Sequence, residues 1–387
     1  MLVYKTSVIP AQAGIQTPKK AQNLKISKIS LFLILAFHCL AYAQQGPYPV
    51  MGISGFVGAD GRPAHPLEDP DKRINPLFRG WAGGYINYLP APGVNAPWNN
   101  PQLALGPVTG DHFHIVSLGD LDQDQISQQV PPGQITLTFN EPNNIIRDVK
   151  GYDFAVFENA FVVQGQPDPW RGYVNADIIA ELAYVEVSSD GLHFARFPPV
   201  SLTPQAVGPY GTVRMENVFN LAGKHPNAAG LCLGTPFDLR DIADDPLVAA
   251  DRVDPNNIRF VRLIDIPGSG HFQDQAQYHI DPNTCPYWKN YPQNHPIYDA
   301  WVTWGSGGFD LEAIGVLTEQ QYPADINLDG MVDMYDLHLF SLTWLDRFGR
   351  PSWIDRCDLA PPIDMMVNGR DFAILAQQWL KKEKWRR

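Results

Sequence analysis

The chain has 387 residues, 44% of them hydrophobic, and contains 35 Pro and 32 Gly. This composition predicts one large, loop-rich domain with a small appended module. The formal net charge of −12 argues against nucleic acid as a partner, because an acidic surface repels phosphate groups.

The first 43 residues have the pattern of a signal peptide. An apolar run at residues 31–37 follows a lysine-bearing stretch and leads to Ala41-Tyr-Ala43, where small residues favour cleavage. The run is too short to span a membrane, which takes about 20 apolar residues. We expect residues 1–43 to be removed and the protein to be secreted, either extracellular or associated with the cell surface. A start codon downstream of Met1 is an alternative.

Residues 44–318 are predicted to form a β-domain. Five runs with strand character lie between turn-rich segments, at residues 135–139, 152–157, 183–188, 259–266 and 309–317. Ser189-Asp-Gly191 is typical of a tight hairpin after the third run. No long amphipathic helix interrupts these runs, so the predicted fold is mainly β, an antiparallel, jelly-roll-like β-sandwich with long loops.

Four segments of this region, residues 153–161, 180–191, 234–239 and 306–316, carry a resemblance. Together they resemble a β-sandwich domain that recurs in bacterial secreted and cell-surface proteins. The resemblance implies the fold and an extracellular location. It brings no established activity with it.

Acidic side chains concentrate where the predicted strands meet their loops, and three interpretations stay open. Glu158 and Glu181 are candidates for the paired carboxylates of a glycoside hydrolase. Alternatively, four acids would bind a structural calcium ion: Asp153, Glu158, Asp310 and Glu312. The third interpretation is that these acids simply face water or cap turns.

Aromatic residues among Gly, Pro and Asn in the loops predict sugar binding, because exposed rings stack on sugar faces. They are Trp81, Tyr85, Tyr88, Trp98, Trp170, Tyr173, Tyr287, Trp288, Tyr291, Trp301 and Trp304. The alternative is that the rings clamp long loops onto the domain.

After a linker at residues 319–322, the chain has the spacing of a calcium loop. Side chains with oxygen stand at loop positions 1, 3, 5, 9 and 12: Asp325, Asn327, Asp329, Asp333 and Asp336. Met331 at position 7 would supply its backbone carbonyl, and Gly330 at position 6 permits the sharp turn. Pro323 stands where an entering helix would end, so a helix follows the loop but none precedes it.

A second copy of this loop and helix follows 35 residues later, which indicates a duplicated unit whose two helices pack together. Its loop spans fourteen residues instead of twelve, and Met365 stands in the place of the glycine. Four side chains remain as ligands: Asp358, Asp364, Asn368 and Asp371. Weaker calcium binding and stabilisation by packing alone are both open for this copy.

Residues 323–380 resemble a type I dockerin, the calcium-dependent module that binds a cohesin domain. The resemblance implies a small all-α fold, Ca²⁺ as the cofactor and a cohesin-type partner. It also implies partner contacts at loop positions 10 and 11 of each copy: Met334, Tyr335, Gly369 and Arg370. Residues 381–387 are predicted to be a basic tail.

These features predict a secreted, calcium-binding accessory protein that docks to a cohesin in an extracellular polysaccharide-degrading or cell-surface assembly. Its β-domain would bind carbohydrate or a surface. No nucleophile motif is present, which favours a protein without enzymatic activity. A glycan hydrolase that uses the β-domain acids and a purely structural surface protein are the alternatives.

Overall fold

The computed structural model describes residues 46, 48–140, 142, 144–165, 176–274, 294–303, 307–350 and 352–386. The predicted signal peptide lies outside these ranges. Within them, no helix has both the length and the apolarity to cross a bilayer. The described chain is mainly β with antiparallel sheets and few helices, so this part of the fold prediction is confirmed.

Two antiparallel sheets dominate the fold. The first has the order β1-β16-β8-β18-β4, with β6 also paired to β18. Its strands are β1 (Ile53–Ser54), β4 (Phe78–Trp81), β6 (Val116–Ser117), β8 (Phe154–Glu158), β16 (Leu233–Phe237) and β18 (Asp310–Leu317). The second has the order β12-β11-β17-β7-β5. Its strands are β5 (Gly84–Leu89), β7 (Gln134–Thr138), β11 (Leu182–Ser188), β12 (Ala195–Arg196) and β17 (Phe260–Ile266).

The strand period of two explains how the first sheet is buried on both faces. On β8, Phe154 and Val156 face the second sheet and share its apolar core, where they meet Leu263. Their neighbours Ala155 and Phe157 face the opposite side and pack in a separate cluster. Two sheets around a shared core are consistent with a β-sandwich. The predicted hairpin is confirmed, because β11 and β12 pair across residues 189–194, a connection that begins with Ser189-Asp-Gly191.

Shorter strands complete the β-domain. A three-stranded sheet has the order β14-β10-β9, and two further ribbons pair β2 with β3 and β13 with β15. These strands are β2 (Phe56–Val57), β3 (Arg73–Ile74), β9 (Phe161–Gln164), β10 (Asp177–Ile179), β13 (Val200–Ser201), β14 (Val213–Arg214) and β15 (Val218–Phe219). The three-stranded sheet has its own apolar cluster, which includes Ile178 and Val213.

Four α-helices are described: α1 (Gln123–Ser127), α2 (Pro246–Ala249), α3 (Met334–Leu342) and α4 (Gly369–Gln378). Helices α3 and α4 lie where the sequence predicts a helix, and each begins within the last positions of a calcium-type loop. Their N-caps, Asp333 and Asn368, form capping boxes with Asp336 and Asp371. In the part of the chain that the structure describes, 3₁₀ turns occur at Pro101–Ala104, Met215–Asn217, Leu239–Ile242, Pro255–Asn257 and Asp355–Cys357.

The helical module, residues 323–386, packs directly on the β-domain. Its core includes Leu339, Phe340 and Leu375, together with Met51 from the start of the β-domain. In the opposite direction, Leu328 and Trp385 pack into an apolar cluster of the β-domain. The segment that joins the two is also held in place, since Gln320 is buried.

Candidate functional site

The first loop, residues 325–336, is closed by its own acids. Asp325 accepts hydrogen bonds from the backbone N–H groups of Asp329 and Gly330, at 3.1 and 2.9 Å. At the other end, Asp336 accepts from Ile326 at 2.7 Å and from Asp333 at 2.7 Å. Gly330 has φ +88°, the left-handed turn for which glycine is suited. Asp325 and Asp336 therefore hold the loop closed through its backbone N–H groups.

The electrostatics of the first loop favour a cation. Burial, and then repulsion from Asp336 and Asp329, raises the pKa of Asp325 well above its usual range. Burial also raises the pKa of Asp336 to about 7 and raises that of Asp329. Carboxylate oxygens that are shielded from water repel one another. A Ca²⁺ ion, which takes six to eight hard oxygen ligands, would suit such a group. When bound, the ion would neutralise these carboxylates.

The second loop, residues 358–371, keeps the same hydrogen bonds despite its two extra residues. Asp358 accepts from the N–H of Met365 at 2.7 Å, as Asp325 does from Gly330. Asp371 accepts from Leu359 at 2.8 Å, which reproduces the contact of Asp336 with Ile326. Met365 adopts φ +57°, so it takes the left-handed turn of the missing glycine.

The charges of the second loop differ from those of the first. Burial, together with Asp371 and Asp364, raises the pKa of Asp358 to about 6. The Oδ1 atom of Asp358 is buried without a hydrogen-bond partner. Asp364 forms an exposed ion pair with Arg370 at 3.0 Å. This loop offers fewer buried carboxylates, so the prediction of weaker calcium binding stands as an expectation.

The two copies of the repeat complete each other. After α3, Leu345 and Phe348 bond to Val367 and Met365 of the second loop. After α4, the equivalent residues 380 and 383 bond to 332 and 330 of the first loop. Leu345 and Leu380 have matching φ values of +62° and +61°. The repeat therefore extends into the basic segment after residue 380, where Arg386 also pairs with Asp329 at 2.6 Å.

The four predicted partner-contact positions lie in two environments. Met334 is 62% exposed, and Gly369 and Arg370 are also exposed on the second copy. Tyr335 is half-buried, because its hydroxyl and its ring both contact Arg62 of the β-domain. Three of the four positions are therefore open to a partner.

A pocket of about 420 Å³ in the β-domain brings together the two sequence-predicted catalytic candidates. Glu158 ends β8 and Glu181 precedes β11, and both line this pocket with Asp310. The pocket also has an aromatic rim, formed by Trp98, Phe113, Phe161 and Tyr210. We call it the aromatic pocket. Phe113, Phe161 and Tyr210 are exposed by 63%, 41% and 59%.

The carboxylates of the aromatic pocket perturb one another. Burial, then Glu181 and Asp310, raises the pKa of Glu158 well above its usual range. Burial, then Asp310, raises that of Glu181 in the same way. Hydrogen bonds hold both side chains, from the N–H of Ala160 to Glu158 at 2.9 Å and from the Thr303 hydroxyl to Glu181 at 2.6 Å. Such raised values are typical of functional carboxylates.

The structural calcium set predicted from the sequence is wrong as a set. Asp153 precedes β8 and Glu158 ends it, so the two lie at opposite ends of the strand. Asp153 instead accepts from the N–H groups of Val149 and Leu239. Glu312 accepts from Thr109 and its neighbours. The alternation of strand faces and a bulge in β18 separate these acids.

The loop aromatics divide between the two predicted roles. Trp98 lines the aromatic pocket, whereas Trp81 packs against Phe78 and Phe157 in the apolar interior. Trp301 donates to the carbonyl of Leu121. Six of the predicted aromatic residues lie outside the described residues: Trp170, Tyr173, Tyr287, Trp288, Tyr291 and Trp304. The sequence prediction missed Phe113, Phe161 and Tyr210, which no motif marks.

Among the described residues, one set of three acids has ligand atoms within 4.8 Å of one another: Asp148, Asp153 and Asp238. The first-loop acids and the pocket acids are further apart than this. In this set Asp238 pairs with Arg240, and both oxygens of Asp153 accept backbone N–H groups. Neither predicted calcium loop contributes a residue to it.

Comparisons with known proteins give no match that could assign this chain to a family. No protein-family model matches the chain. Neither a curated protein nor a solved structure matches it either.

Proposed function

We propose that this protein is a secreted, calcium-binding accessory component of an extracellular polysaccharide-degrading or cell-surface assembly. Its helical module is a dockerin that docks to a cohesin-type domain. Its β-domain, a jelly-roll-like sandwich, binds carbohydrate in the aromatic pocket. One observation carries the proposal: the two loops share one hydrogen-bond frame, with Asp325 and Asp336 matched by Asp358 and Asp371.

An exposed apolar surface on the helical module supports docking to another protein. Trp344 and Phe372 are half-exposed and pack edge-on, with ring centroids 6.3 Å apart. Leu345 and Leu380 are exposed beside the ends of the two helices. Apolar side chains grouped on a small module are typical of a protein interface.

The aromatic pocket supports carbohydrate as the ligand. Its exposed rings offer flat apolar faces for sugar rings, and its carboxylates accept hydrogen bonds from hydroxyl groups. The volume of about 420 Å³ is within the range of small-ligand sites. Secretion rests on the signal-peptide pattern of residues 1–43.

Calcium titration of the chain from residue 44 onward tests the docking module. We expect calorimetric binding in the wild type and a clear loss of first-loop affinity in Asp325→Asn. Glu68→Gln, an exposed acid of the β-domain, is the matched control. Binding to purified cohesin domains should vanish with chelator. Calcium-independent binding, or identical calcium affinity in Asp325→Asn, contradicts the proposal.

A second function, glycan hydrolysis, is favoured by the meeting of Glu158 and Glu181 in one pocket. A carboxyl group with a raised pKa can act as the general acid while the second carboxylate attacks or activates water. Release of reducing sugar from polysaccharides, lost in both Glu158→Gln and Glu181→Gln, would support this function. Binding without sugar release supports the accessory role.

A further inference from the structure

Three acids next to the lining of the aromatic pocket share one pattern: Asp265 and Asp299 are buried, and Asp120 is half-buried. Asp265 accepts the N–H of Phe309 through Oδ1 at 2.7 Å, and its Oδ2 has no hydrogen-bond partner. Asp299 accepts the N–H of Leu182 through Oδ2 at 2.7 Å, and its Oδ1 has none. Asp120 accepts from Thr303 through Oδ2, and its Oδ1 has none. Each carboxylate is thus held by one oxygen and leaves the other unused.

These contacts place the three acids next to the acids of the pocket. Phe309, the donor to Asp265, directly precedes Asp310. Leu182, the donor to Asp299, directly follows Glu181. Thr303 bridges Asp120 and Glu181, donating its N–H to the first and its hydroxyl to the second. One chain of contacts therefore joins the acids that line the pocket to these three acids.

The cost of leaving unpaired carboxylate oxygens in the interior is large. Asp265 is 0% exposed and Asp299 is 1% exposed. Burying a charge away from water is strongly unfavourable unless it is paired. The charged neighbours that raise the pKa values of Asp265 and Asp299 are all acidic. This differs from Asp238 across the domain, which pairs with Arg240.

We propose that this cluster is a calcium site, with Asp120, Asp265 and Asp299 as its deep ligands and Glu181 and Asp310 as its ligands at the pocket floor. All five donors are carboxylates, and a hard cation such as Ca²⁺ prefers oxygen ligands. No three of them have oxygens within 4.8 Å of one another, so the ion draws them together as it binds. The site is independent of the two loops and of cohesin docking.

The test separates this site from the loops. In the chain from residue 44 onward, four substitutions remove the loop carboxylates: Asp325→Asn, Asp336→Asn, Asp358→Asn and Asp371→Asn. We expect this variant to retain one calcium-binding event by calorimetry and to melt at a higher temperature with calcium than with chelator. If calcium neither binds nor raises the melting temperature of this variant, the proposal is overturned.

Two further substitutions in the same background assign the site. Asp265→Asn should abolish the remaining calcium binding, and Glu181→Gln, at the pocket floor, should weaken it at least tenfold. Asp148→Asn, an exposed acid outside the cluster, is the control and should bind as before. If Asp265→Asn does not fold, the calcium affinity of Glu181→Gln alone tests the assignment. Unchanged affinity in Glu181→Gln overturns it. This test does not depend on whether the loops bind calcium, because the four loop carboxylates are already removed in this background.

Discussion

The two loops of the helical module have one architecture but different sequences. Gly330 makes the left-handed turn of the first loop, and Met365 makes the same turn in the second. Asp336 and Asp371 each hold the start of their loop and cap the following helix. The hydrogen-bond pattern of the loop persists where the glycine is lost. The terminal aspartate and the helix cap therefore maintain this pattern.

The loops differ in the charges that face their centres. The first loop has Asp325, Asp329 and Asp336 buried, whereas in the second Asp364 is exposed and already paired with Arg370. We therefore expect the hydrogen-bond pattern of the loops and their affinity for a cation to be separable properties. The following predictions test this separation, beginning with the largest effect.

Asp336→Ala should give the largest loss of stability, about 3 kcal/mol, because three backbone N–H groups lose their acceptor. Asp371→Ala should cost a similar amount for the same reason. Urea unfolding in chelator, followed by the helical circular dichroism signal, measures both. A much smaller effect of Asp371→Ala would show that the two frames are not equivalent.

Without calcium, the helical module should lose stability as the pH rises from about 4 to about 7. Burial raises the pKa of Asp336 to about 7, while an unfolded aspartate titrates near 3.9. Between these values the folded state binds more protons than the unfolded state, so raising the pH favours unfolding. For Asp358 the corresponding window ends near 6.

Urea unfolding at pH 5 and pH 8 in calcium-free buffer measures this difference. Asp336→Asn should reduce the pH dependence, and Asp358→Asn should reduce it less. Calcium at pH 8 should restore the stability that is lost. Equal stability of the wild type at both pH values would refute the electrostatic comparison.

Gly330→Ala and Met365→Gly should act in opposite directions. A methyl group at Gly330 would meet side-chain atoms of Arg386 and Trp385 at 2.8 Å and would also strain the turn, at a cost of about 2 kcal/mol. Met365→Gly removes the strain of a non-glycine residue in the left-handed region. After the entropy of glycine is included, it should increase the free energy of unfolding by about 0.5 kcal/mol. Thermal unfolding of each variant measures these changes. Destabilisation by Met365→Gly would mean that its side chain stabilises the loop.

The smallest effect concerns the arginines beside the loops. Arg386 pairs with a nearly buried Asp329, whereas the Arg370 and Asp364 side chains are 48% and 38% exposed. Arg386→Met should cost about 1 kcal/mol, and Arg370→Met less than about 0.5 kcal/mol. Arg386→Met should also strengthen calcium binding at the first loop, which calorimetry measures. Equal effects of the two substitutions on stability would count against the difference in burial.

Local patterns in the sequence predicted much of this fold. Runs of β-branched and aromatic residues located the strands around residues 135–139 and 309–317, and the repeated pattern of a loop followed by a helix located α3 and α4. Loop spacing predicts that Asp325 and Asp336 belong to one loop, and both accept backbone N–H groups of that loop. Glu158 and Glu181 were nominated as a pair, and both line one pocket.

Long-range contacts could not be predicted in this way. Asp120 and Asp299 belong to irregular segments, and only the folded chain brings them near Glu181. The rim residues Phe113 and Phe161 follow no motif. The return of residues 380–383 to the first loop depends on the packing of the two helices, which no local spacing determines.

The reciprocal pairing of the two copies has a consequence for cooperativity. Because the segment after each helix completes the other copy's loop, neither copy can unfold alone without breaking its counterpart. An ion bound at one loop would therefore stabilise both halves. Disruption of residues 380–383 would loosen a loop some fifty positions upstream, so this short segment contributes to the stability of the whole module.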